Sequence, residues 1–407
     1  MRILFADLVD ESRVEALRAA GNECRLEPGL TEADLPDHIG DAEALVVRST
    51  RVSGAAIDAA PELSLIVRAG AGVDNIDVAA ASARGIYVCN VPGKNAVAVA
   101  ELTMGLLLSI DRRIADGTAD LRSGRWNKKL YSAANGIHGR RMAIIGLGDI
   151  GLVVAERAKA FGMDVVALRK PSRDPATTSR IRSVGVRLVD TEEELLSSTD
   201  VVSVHVPSSP STVGLIGAAF LAQLPDRAIV LNTARGNVID ETALIAAMDE
   251  RGIRAGLDVW PGEPGAGSAE WSSALSAHPN VVGTHHIGAS TNQAQEAVAD
   301  GTVDVIDAYQ AASLLNCVNL VDRPLGSSVI TVRHLDRVGV LAKILICLRG
   351  SGHNVQQMHN EVFAGGTAAV ATINVVGVVT DDLRSSILEI DEVLAVSVTK
   401  TAQEATS

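Results

Sequence analysis

Three glycines at fixed spacing mark the clearest chemistry-bearing segment of the chain. Gly146, Gly148 and Gly151 form a G-x-G-x-x-G pattern within RMAIIGLGDIGLVVAERAKAFGMDVVAL. The apolar residues 142–145 before the pattern are typical of a strand, and the residues after it have helical periodicity and lead into a second strand. Glycines permit a tight turn there, and the N-terminus of the helix can bind a pyrophosphate. This context predicts a dinucleotide site rather than an ordinary turn between a strand and a helix.

The end of the second strand bears on which dinucleotide binds. A fold that uses NAD has Asp or Glu there, about 20 residues beyond the turn, to accept the ribose hydroxyls. Arg169 stands at this position, and Lys170 and Arg173 follow it. A cation suits a 2′-phosphate, so the cofactor is predicted as NAD(P), with Arg169 favouring NADP. The alternative is that Arg169 lies at a solvated edge and the ribose is held less tightly.

Polar residues also end two later strand patterns. Arg235 follows the apolar segment 228–233, and Asp258 lies near the end of another. Ligands bind at the carboxyl edge of parallel strands, which favours a binding role for both residues, although Asp258 could instead cap a helix. His285 and His286 are adjacent, and neighbouring side chains of an extended backbone face opposite ways. Only one of the two can enter a cleft, and the residue types alone do not decide which.

Short apolar strands alternate with helical patterns, which indicates βαβ units and parallel sheets. In the first hundred residues the strand patterns are 2–6, 44–47, 65–68 and 86–89. A long helix then runs over residues 96–114, apolar around too much of its circumference for a surface helix, so we expect it to be buried between two domains. Six further strand patterns predict a complete doubly wound sheet; they are 142–145, 164–168, 201–206, 228–233, 255–259 and 281–284.

The pattern changes after a linker at residues 319–328. A strand, a helix, two β-branched segments around Gly365 and Gly366, a second helix and a last strand give the order βαββαβ, which is the ferredoxin-like motif. The predicted fold class is α/β, with a Rossmann doubly wound sheet, a flavodoxin-like substrate domain and a C-terminal ferredoxin-like domain. The predicted domains are 1–97 completed by 286–320, then 98–285, then 327–407.

Composition excludes several classes of function. The 407 residues suffice for two or three domains. The net charge is −13 and aromatic residues are 2% of the chain, which argues against nucleic-acid binding. The four cysteines form no C-x-x-C pair, so no metal site is predicted and a reducing compartment is indicated. The two long stretches without charged residues carry prolines or a glycine pair, so we expect a soluble, cytoplasmic protein that does not insert into membranes.

Several segments together resemble the D-isomer-specific 2-hydroxyacid dehydrogenases. They are RAGAGVDNID, SGRWNKK, GLGDIG, NTARGNVIDETAL, LDVWPGEP and THHIGAST, in family order over nearly the whole chain. The resemblance implies hydride transfer between a nicotinamide cofactor and a small anionic 2-hydroxy acid. Within the family it is strongest to members that oxidise 3-phospho-D-glycerate. The alternatives are a reductase of glyoxylate or hydroxypyruvate, which needs no phosphate pocket, and a dinucleotide-sensing regulator without catalysis.

The resemblance implies three catalytic residues. His286 is the base that takes the hydroxyl proton, Glu263 orients it, and Arg235 clamps the substrate carboxylate with a planar, bidentate guanidinium. The family has proline before the catalytic histidine, so His286 matches the pattern and His285 is the departure.

The implied cofactor contacts extend well beyond the glycine-rich turn. They are Ala71, Gly146, Gly148, Asp149, Ile150, Gly151, Arg169, Val206, Thr233, Ala234 and Asp258. Asp149 departs from the family, and a carboxylate that faces a pyrophosphate would repel it. We therefore expect its side chain to point outward while its backbone N–H binds.

The implied substrate contacts are Arg48, Ser49, Gly72 and Asn95. Arg48 and Ser49 directly follow a strand and could hold a phosphate, because one arginine plus a hydroxyl supplies charge-assisted hydrogen bonds. Thr50 stands where some members carry a second arginine. The alternative for Arg48 is a surface salt bridge.

The segment VITVRHLDRVGVLAKILICLRGSGHNV resembles an ACT domain, a small amino-acid-sensing fold. His334, Asp336 and Asn354 match effector-binding positions, although Asp336 replaces an amide and Val338 a proline. The resemblance implies an amino-acid effector such as L-serine and a homo-oligomer of two or four copies. The alternative is a module that serves only assembly.

Overall fold

The computed structural model describes residues 1–171, 173–265, 268–321 and 326–400. The chain divides into two compact units, Met1–Asn319 and Leu320–Ser407. Residues 322–325 of the predicted linker lie outside the described residues. No helix in the described ranges is long and apolar enough to cross a lipid bilayer. The predicted division of the first unit at residues 97 and 285 stays a prediction.

A five-stranded parallel sheet opens the first unit. Its strands and helices are β1 (Arg2–Phe5), α1 (Glu11–Ala19), β2 (Glu23–Leu26), α2 (Leu35–Ile39), β3 (Ala44–Val47), α3 (Gly54–Asp58), β4 (Leu65–Arg68), α4 (Val78–Ala83) and β5 (Tyr87–Asn90). The order β2-β1-β3-β4-β5 is the flavodoxin-like order, as predicted. The apolar pattern misses β2, because this edge strand (ECRL) fully buries only Cys24.

Three helices lead from this sheet to the next: α5 (Ala96–Arg112), α6 (Ile114–Arg122) and α7 (Lys128–Tyr131). The predicted long helix ends at Arg112 because Arg113 takes a left-handed conformation, with a φ of 52°. Its predicted burial is confirmed, since Leu107 and Ile110 are completely buried.

A seven-stranded parallel sheet follows. Its elements are β6 (Arg141–Ile145), α8 (Asp149–Ala160), β7 (Asp164–Leu168), α9 (Pro175–Val184), β8 (Arg187–Val189), α10 (Glu192–Leu196), β9 (Val201–Val204), α11 (Ala218–Ala222), β10 (Ile229–Asn232), a 3₁₀ turn (Gly236–Val238), α12 (Glu241–Arg251), β11 (Arg254–Leu257) and β12 (Val281–Gly283). The order β12-β11-β10-β9-β6-β7-β8 confirms the predicted Rossmann sheet. The apolar pattern does not predict β8, a three-residue edge strand that begins with an exposed arginine.

Helix α5 packs closely on strand β11 because Gly256 has no side chain. A Cβ at Gly256 would lie 2.9 Å from Ile110 Cδ1 and 3.1 Å from Leu106 Cβ. Any larger residue would therefore push the helix away from the sheet. This packing fixes the position of α5 and thereby of Asn95, the residue at its N-cap.

A long helix, α13 (Asn292–Gln310), returns from the second sheet to the first. Thr291 caps it by accepting the backbone N–H of Ala294 at 3.1 Å. Its Val305 and Ile306 belong to the apolar cluster that covers one face of the first sheet, together with Ile3 and Phe5. The first sheet is therefore completed by residues some 300 positions further along the chain.

The second unit is a four-stranded antiparallel sheet with two helices. Its elements are β13 (Ser328–Leu335), α14 (Val340–Gly350), β14 (Val355–Val362), β15 (Ala368–Val375), α15 (Asp381–Leu388) and β16 (Val393–Lys400). The order β14-β15-β13-β16 confirms the predicted ferredoxin-like motif. Its core contains Ile330, Val332, Ile344 and Leu348.

Candidate active site

The glycine-rich turn between β6 and α8 has the geometry that a dinucleotide needs. Gly146 has a φ of 101°, and a Cβ there would overlap the carbonyl group of His205. A Cβ at Gly151 would overlap the carbonyl oxygen of Gly146. At Gly148, by contrast, a Cβ would have nothing within 4 Å. The outer two glycines thus close the turn, and the middle one leaves open space at the N-terminus of α8, where a pyrophosphate fits.

Asp149 is the first residue of α8, and its carboxylate is paired with a cation that the sequence analysis missed. Arg180 of α9 donates from Nη1 to Asp149 Oδ1 at 2.8 Å, and both side chains are about half exposed. The other oxygen faces Gly93, where a Cβ would lie 3.2 Å from it. The expected repulsion of a pyrophosphate is therefore offset by a guanidinium from a neighbouring helix.

The guanidinium at the end of β7 is paired with a carboxylate that follows the neighbouring strand β8. Arg169 donates from Nε to Oδ1 of Asp190 at 2.6 Å, and both side chains are exposed. Asp190 directly follows β8, the edge strand that the apolar pattern does not predict. Contrary to the expectation drawn from Arg169, this edge of the sheet therefore has a carboxylate that could accept ribose hydroxyls, because the residue after the neighbouring strand supplies it.

Val206 and Thr233 lie close to the glycine-rich turn and to α5, respectively. A Cβ at Gly146 would be 3.0 Å from Val206 Cγ1. Thr233 is buried, and its hydroxyl lies 3.0 Å from that of Thr103 on α5. The preceding His205 is partly buried, its Nε2 2.7 Å from Ser203 Oγ, and burial of its ring lowers the pKa of the imidazole to about 3. This histidine is therefore neutral and structural.

His286 and Glu263 form a direct pair. His286 Nδ1 lies 2.5 Å from Glu263 Oε1, and Glu263 Oε2 accepts the backbone N–H of Trp260 at 2.9 Å. Burial alone would raise the pKa of the Glu263 carboxyl, but the hydrogen bonds from His286 and Trp260 lower it overall. The carboxylate stays ionised and orients the ring, which leaves Nε2 for proton transfer.

The backbone that carries His286 is held by Asp258. The Asp258 carboxylate is 1% exposed and accepts hydrogen bonds from Thr284 Oγ1 at 2.6 Å and from the backbone N–H groups of Ile287 and Gly288 at 2.8 Å. His286 itself has a φ of 56°, and its N–H donates to the Asp258 carbonyl at 2.7 Å. The alternative of a helix N-cap is wrong, since no helix of the described chain begins at Asp258. Its predicted contact with the cofactor stays a prediction.

Arg235 reaches from the second sheet to the loop after β4. Its Nε donates to Asp74 Oδ2 at 2.8 Å and its Nη1 to the Ala234 carbonyl at 2.7 Å. A Cβ at Gly72 would overlap Arg235 Nη2. A side chain at this position would displace the guanidinium, so the two predicted residues, Gly72 and Arg235, are in direct contact.

The loop that carries Arg48 and Ser49 is organised by Asp7, which the sequence analysis did not single out. Asp7 Oδ2 accepts the backbone N–H groups of Arg48, Ser49 and Thr50 at 2.7, 3.1 and 3.1 Å. The Thr50 hydroxyl is engaged by the carbonyl of Leu30 at 3.1 Å. Because these three backbone N–H groups already donate to Asp7, an anion at this loop would be bound by side chains.

The guanidinium of Arg48 is available for that purpose. Within the described part of the chain its side chain makes no hydrogen bond or ion pair, so the alternative of a surface salt bridge is not realised there. Its neighbour Arg51, in contrast, pairs with Glu32 at 3.5 Å.

A third arginine, Arg68 at the end of β4, was missed as well. Burial, with the positive charges of Arg235 and Arg48, lowers the pKa of Arg68 to about 10. Its Nε is buried without a hydrogen-bond partner among the described residues. The signal in the sequence was its position, since it ends an apolar strand as Arg235 does and begins the segment RAGAGVDNID.

These groups line one cleft of about 1140 Å³. Its walls include the catalytic, substrate-binding and cofactor-binding candidates Arg48, Ser49, Ala71, Gly72, Asn95, Ile150, Arg235, Glu263 and His286, with Arg68 and His285. Both adjacent histidines reach the cleft, contrary to the expectation of one, because the backbone at His286, with a φ of 56°, is not extended. Asn95 presents a buried side-chain oxygen without a partner among the described residues. The cleft thus combines arginines that can bind an anionic ligand with a histidine that can take a proton from a hydroxyl group.

The three effector candidates of the second unit do not lie together within one chain. His334 is buried, with its ring nitrogens 2.8 Å from the Leu335 carbonyl and 3.0 Å from Asn360 Oδ1. Asp336 is exposed just beyond the end of β13. Asn354 precedes β14, whose first residue pairs through β15 with the start of β13. Asp336 and Asn354 are thus at opposite ends of the sheet.

Comparison with known proteins identifies relatives of this chain. The family described as D-isomer specific 2-hydroxyacid dehydrogenase, NAD binding domain, matches residues 104–288. D-3-phosphoglycerate dehydrogenase of Methanocaldococcus jannaschii is 40% identical over 333 residues, which are 80% of this chain and 61% of that protein. The enzyme of the same name from Archaeoglobus fulgidus is 38% identical over 79% of this chain and 59% of its own length. The chain thus spans about 60% of the length of these two relatives.

Solved structures show the same architecture. The TT0316 protein from Thermus thermophilus is 34% identical, with a TM-score of 0.68, and the match covers 78% of this chain and 100% of that one. A glyoxylate reductase from Paecilomyes thermophila is 27% identical, with a TM-score of 0.69 over 78% of this chain and 98% of its own.

Proposed function

The chain belongs to the D-isomer-specific 2-hydroxyacid dehydrogenase family, and from this membership we propose that it oxidises 3-phospho-D-glycerate to 3-phosphohydroxypyruvate. This is the substrate for which its curated relatives are named, in a reaction that leads into L-serine synthesis. The observation that carries the proposal is the convergence of the Arg48, Arg68 and Arg235 guanidinium groups on a cleft that also contains the His286–Glu263 pair.

The proton and the hydride leave the substrate in different directions. The turn at Gly146 and Gly151 would hold a nicotinamide cofactor, which would supply the acceptor for the hydride from the carbon that bears the hydroxyl. His286 Nε2 takes the hydroxyl proton, because Nδ1 is held by Glu263 at 2.5 Å. The ionised carboxylate of Glu263 balances the positive charge that forms on the ring. A similar arrangement typically contributes about 10²–10⁴ to the rate.

Different arginines bind the two anionic groups of the substrate, its carboxylate and its phosphate. Arg235 reaches the loop at Gly72 and holds the carboxylate beside the reacting carbon. Arg48, whose guanidinium has no internal partner within the described chain, and Arg68, whose buried Nε is unpartnered there, hold the phosphate. Asp7 and Asp74 already accept hydrogen bonds from this cleft's own groups, so they repel the substrate less than free carboxylates would.

The cofactor is NAD rather than NADP. The matching family is an NAD-binding domain, and the comparisons do not support the preference for NADP drawn from Arg169. Asp190 offers the carboxylate that ribose hydroxyls need, and it already neutralises Arg169 at 2.6 Å. A 2′-phosphate would have to compete with this ion pair.

A substrate panel tests the proposed reaction. Steady-state rates are measured for oxidation of 3-phospho-D-glycerate and D-glycerate, and for reduction of hydroxypyruvate and glyoxylate, each with both nicotinamide cofactors. We expect the highest kcat/KM for the phosphorylated acid with NAD. Equal or higher values for glyoxylate or hydroxypyruvate would establish the reductase alternative. No turnover with any substrate would favour the non-catalytic regulator, against which the intact set of Arg235, Glu263 and His286 argues.

The second unit binds an amino-acid effector at a seam between two copies. Strand β14 is an edge strand with mostly exposed residues, so it can pair with its counterpart in another copy. A two-fold axis perpendicular to this strand would pair the two copies of β14 antiparallel and bring Asn354 of one copy toward the sheet end that carries Asp336 and His334 in the other. The separation of these residues within one chain supports a shared site, and hence a dimer or tetramer.

Calorimetry on the intact protein tests the effector. L-serine is expected to bind and to lower activity, and Asn354→Ala to weaken both effects without changing the uninhibited rate. Absence of heat with L-serine would leave the unit as an assembly device. Inhibition further requires that the effector bind the less active state more tightly.

A further inference from the structure

Two of the four cysteines face each other across a short antiparallel bridge. Cys89 lies in β5 and Cys317 in the segment that follows α13. The N–H of Val318 donates to the carbonyl of Val88 at 2.8 Å, and the N–H of Asn90 donates to the carbonyl of Asn316 at 3.2 Å. These two bonds flank the cysteines, so Cys89 and Cys317 are a non-hydrogen-bonded pair.

This position of an antiparallel ladder brings side chains closest together. The Cα atoms of such a pair are about 4.5 Å apart and their side chains leave the same face of the ladder. Disulfides need Cα separations of about 4.4–6.8 Å. The backbone therefore already holds the two thiols at a separation that a disulfide can bridge.

The surroundings of the two thiols differ. Cys89 is completely buried in the apolar cluster on the first sheet, and Cys317 packs against that cluster while remaining partly exposed. Cys317 Sγ lies 3.2 Å from Asn319 Oδ1. A reagent from solvent therefore reaches Cys317 first and Cys89 only through it.

We propose that Cys89 and Cys317 are a thiol oxidation site, at which a small-molecule disulfide such as oxidised glutathione introduces a reversible intramolecular disulfide. The bond joins β5 to the last segment of the first unit before the chain enters the second. The same segment is anchored by Asn319, which accepts the N–H of Val88 at 2.9 Å and donates to the carbonyl of Ile86 at 2.8 Å. Oxidation thus makes an existing non-covalent attachment covalent.

The exchange proceeds in two balanced steps. The Cys317 thiolate attacks one sulfur of the oxidant, forms a mixed disulfide and releases one small thiolate, which takes up a proton. The Cys89 thiol then loses its proton, and its sulfur attacks the Cys317 sulfur, releasing the second small thiolate. Two cysteines are oxidised and one oxidant disulfide is reduced to two thiols.

Burial fixes the order of these steps. Desolvation and the adjacent Cys317 raise the pKa of the Cys89 thiol to about 12. Cys89 is therefore a poor first nucleophile, and the mixed disulfide on Cys317 is the intermediate.

The test exposes the intact, folded protein to excess oxidised glutathione, followed by peptide mass mapping without reduction and by titration of free thiols. The parent is expected to lose two of its four thiols, to contain a Cys89–Cys317 linked peptide, and to recover both thiols with a dithiol reductant. In Cys89→Ser a glutathione adduct should persist on Cys317, and Cys317→Ser should keep its remaining three thiols.

Matched controls are available in the same chain. Cys24 lies on β2, at the opposite edge of the first sheet from β5, and Cys347 lies on α14. Cys24→Ser and Cys347→Ser should form the Cys89–Cys317 link as the parent does. Persistence of four free thiols in the folded parent, or linkage to Cys24 or Cys347 instead, would overturn the proposal.

Discussion

Arg180 donates from Nη1 to Oδ1 of Asp149 at 2.8 Å, so a helix two elements away supplies a positive charge to the glycine-rich turn. Asp149 begins α8, where the helix dipole favours an anion. A bound pyrophosphate would meet the carboxylate and the guanidinium together. The ion pair thus permits an acidic residue in a turn that we propose to bind an anionic cofactor.

Removing this cation should weaken cofactor binding. In Arg180→Ala the Asp149 carboxylate would be uncompensated, and we expect the Kd for NADH to rise about three- to fivefold, because an exposed charge pair contributes up to about 1 kcal/mol. Titration of NADH fluorescence measures the effect. The double variant Asp149→Asn/Arg180→Ala should bind NADH nearly as the parent does. If the double variant is as weak as the single one, Arg180 contacts the cofactor directly rather than neutralising Asp149.

The two adjacent histidines should differ sharply. His286→Ala removes the base paired with Glu263 and should lower kcat about a hundredfold or more, while NADH binding stays nearly intact. His285 also lines the cleft but makes no hydrogen bond to Glu263, so His285→Ala should cost much less. Steady-state rates and NADH titrations of both variants check this. A larger loss of kcat in His285→Ala than in His286→Ala would show that His285 is the base and that the assignment to His286 is wrong.

Glu263 should make stability depend on acidic pH. Its pKa is lowered in the folded protein from an ordinary value of 4.5. The ionised carboxylate therefore stabilises the fold above that value, and this contribution is lost as the pH falls below 4.5 through the lowered pKa. In Glu263→Gln this contribution is absent, so its Tm should fall less than that of the parent over this range. Parallel melting curves against pH would contradict the assignment.

Arg48 should report on the phosphate of the substrate. Arg48→Ala removes a charge-assisted hydrogen bond and should raise KM for 3-phospho-D-glycerate about 10- to 100-fold, with a small effect on D-glycerate. Arg51→Ala is the matched control, because Arg51 is already paired with Glu32. Equal increases for both acids in Arg48→Ala would instead support the glyoxylate-type alternative.

Asp190 should set the choice of dinucleotide. Asp190→Asn removes the carboxylate at the ribose end and frees Arg169 for a 2′-phosphate. The ratio of kcat/KM for NADP to that for NAD should therefore rise about tenfold, which corresponds to a free-energy difference of about 1.4 kcal/mol. Arg187→Gln serves as the control, because Arg187 lies on the preceding strand β8 but is paired with Asp164 and Glu194. An unchanged ratio in Asp190→Asn would place the ribose elsewhere.

Local patterns predict much of the fold and part of the site. The glycine-rich turn and the strand-ending Arg235 could be predicted, because the alternation of apolar strands and helices around them is a local sequence pattern. Strands β2 and β8 are not visible, since an edge strand buries too few residues to show an apolar pattern. Because β8 is not predicted, Asp190 at its end, which is the partner of Arg169, is not predicted either.

The remaining omissions depend on contacts between distant segments. Asp7 acts on a loop more than forty positions away, and Arg180 reaches Asp149 from another helix. Neither relationship has a local signature, because each arises only when the sheet brings its strand ends together. Arg68 differs, since its place at the end of an apolar strand was available to the same reasoning that found Arg235.

Helix α13 has a consequence for the order in which the chain folds during synthesis. The first sheet is made first, but the apolar face that contains Ile3 and Phe5 is covered by Val305 and Ile306, which leave the ribosome much later. The Rossmann sheet, β6 to β12, lies wholly in between and is contiguous in the chain. It can therefore form during translation while the N-terminal strands still expose apolar surface. The nascent protein thus depends on the folding of its middle before its beginning is complete.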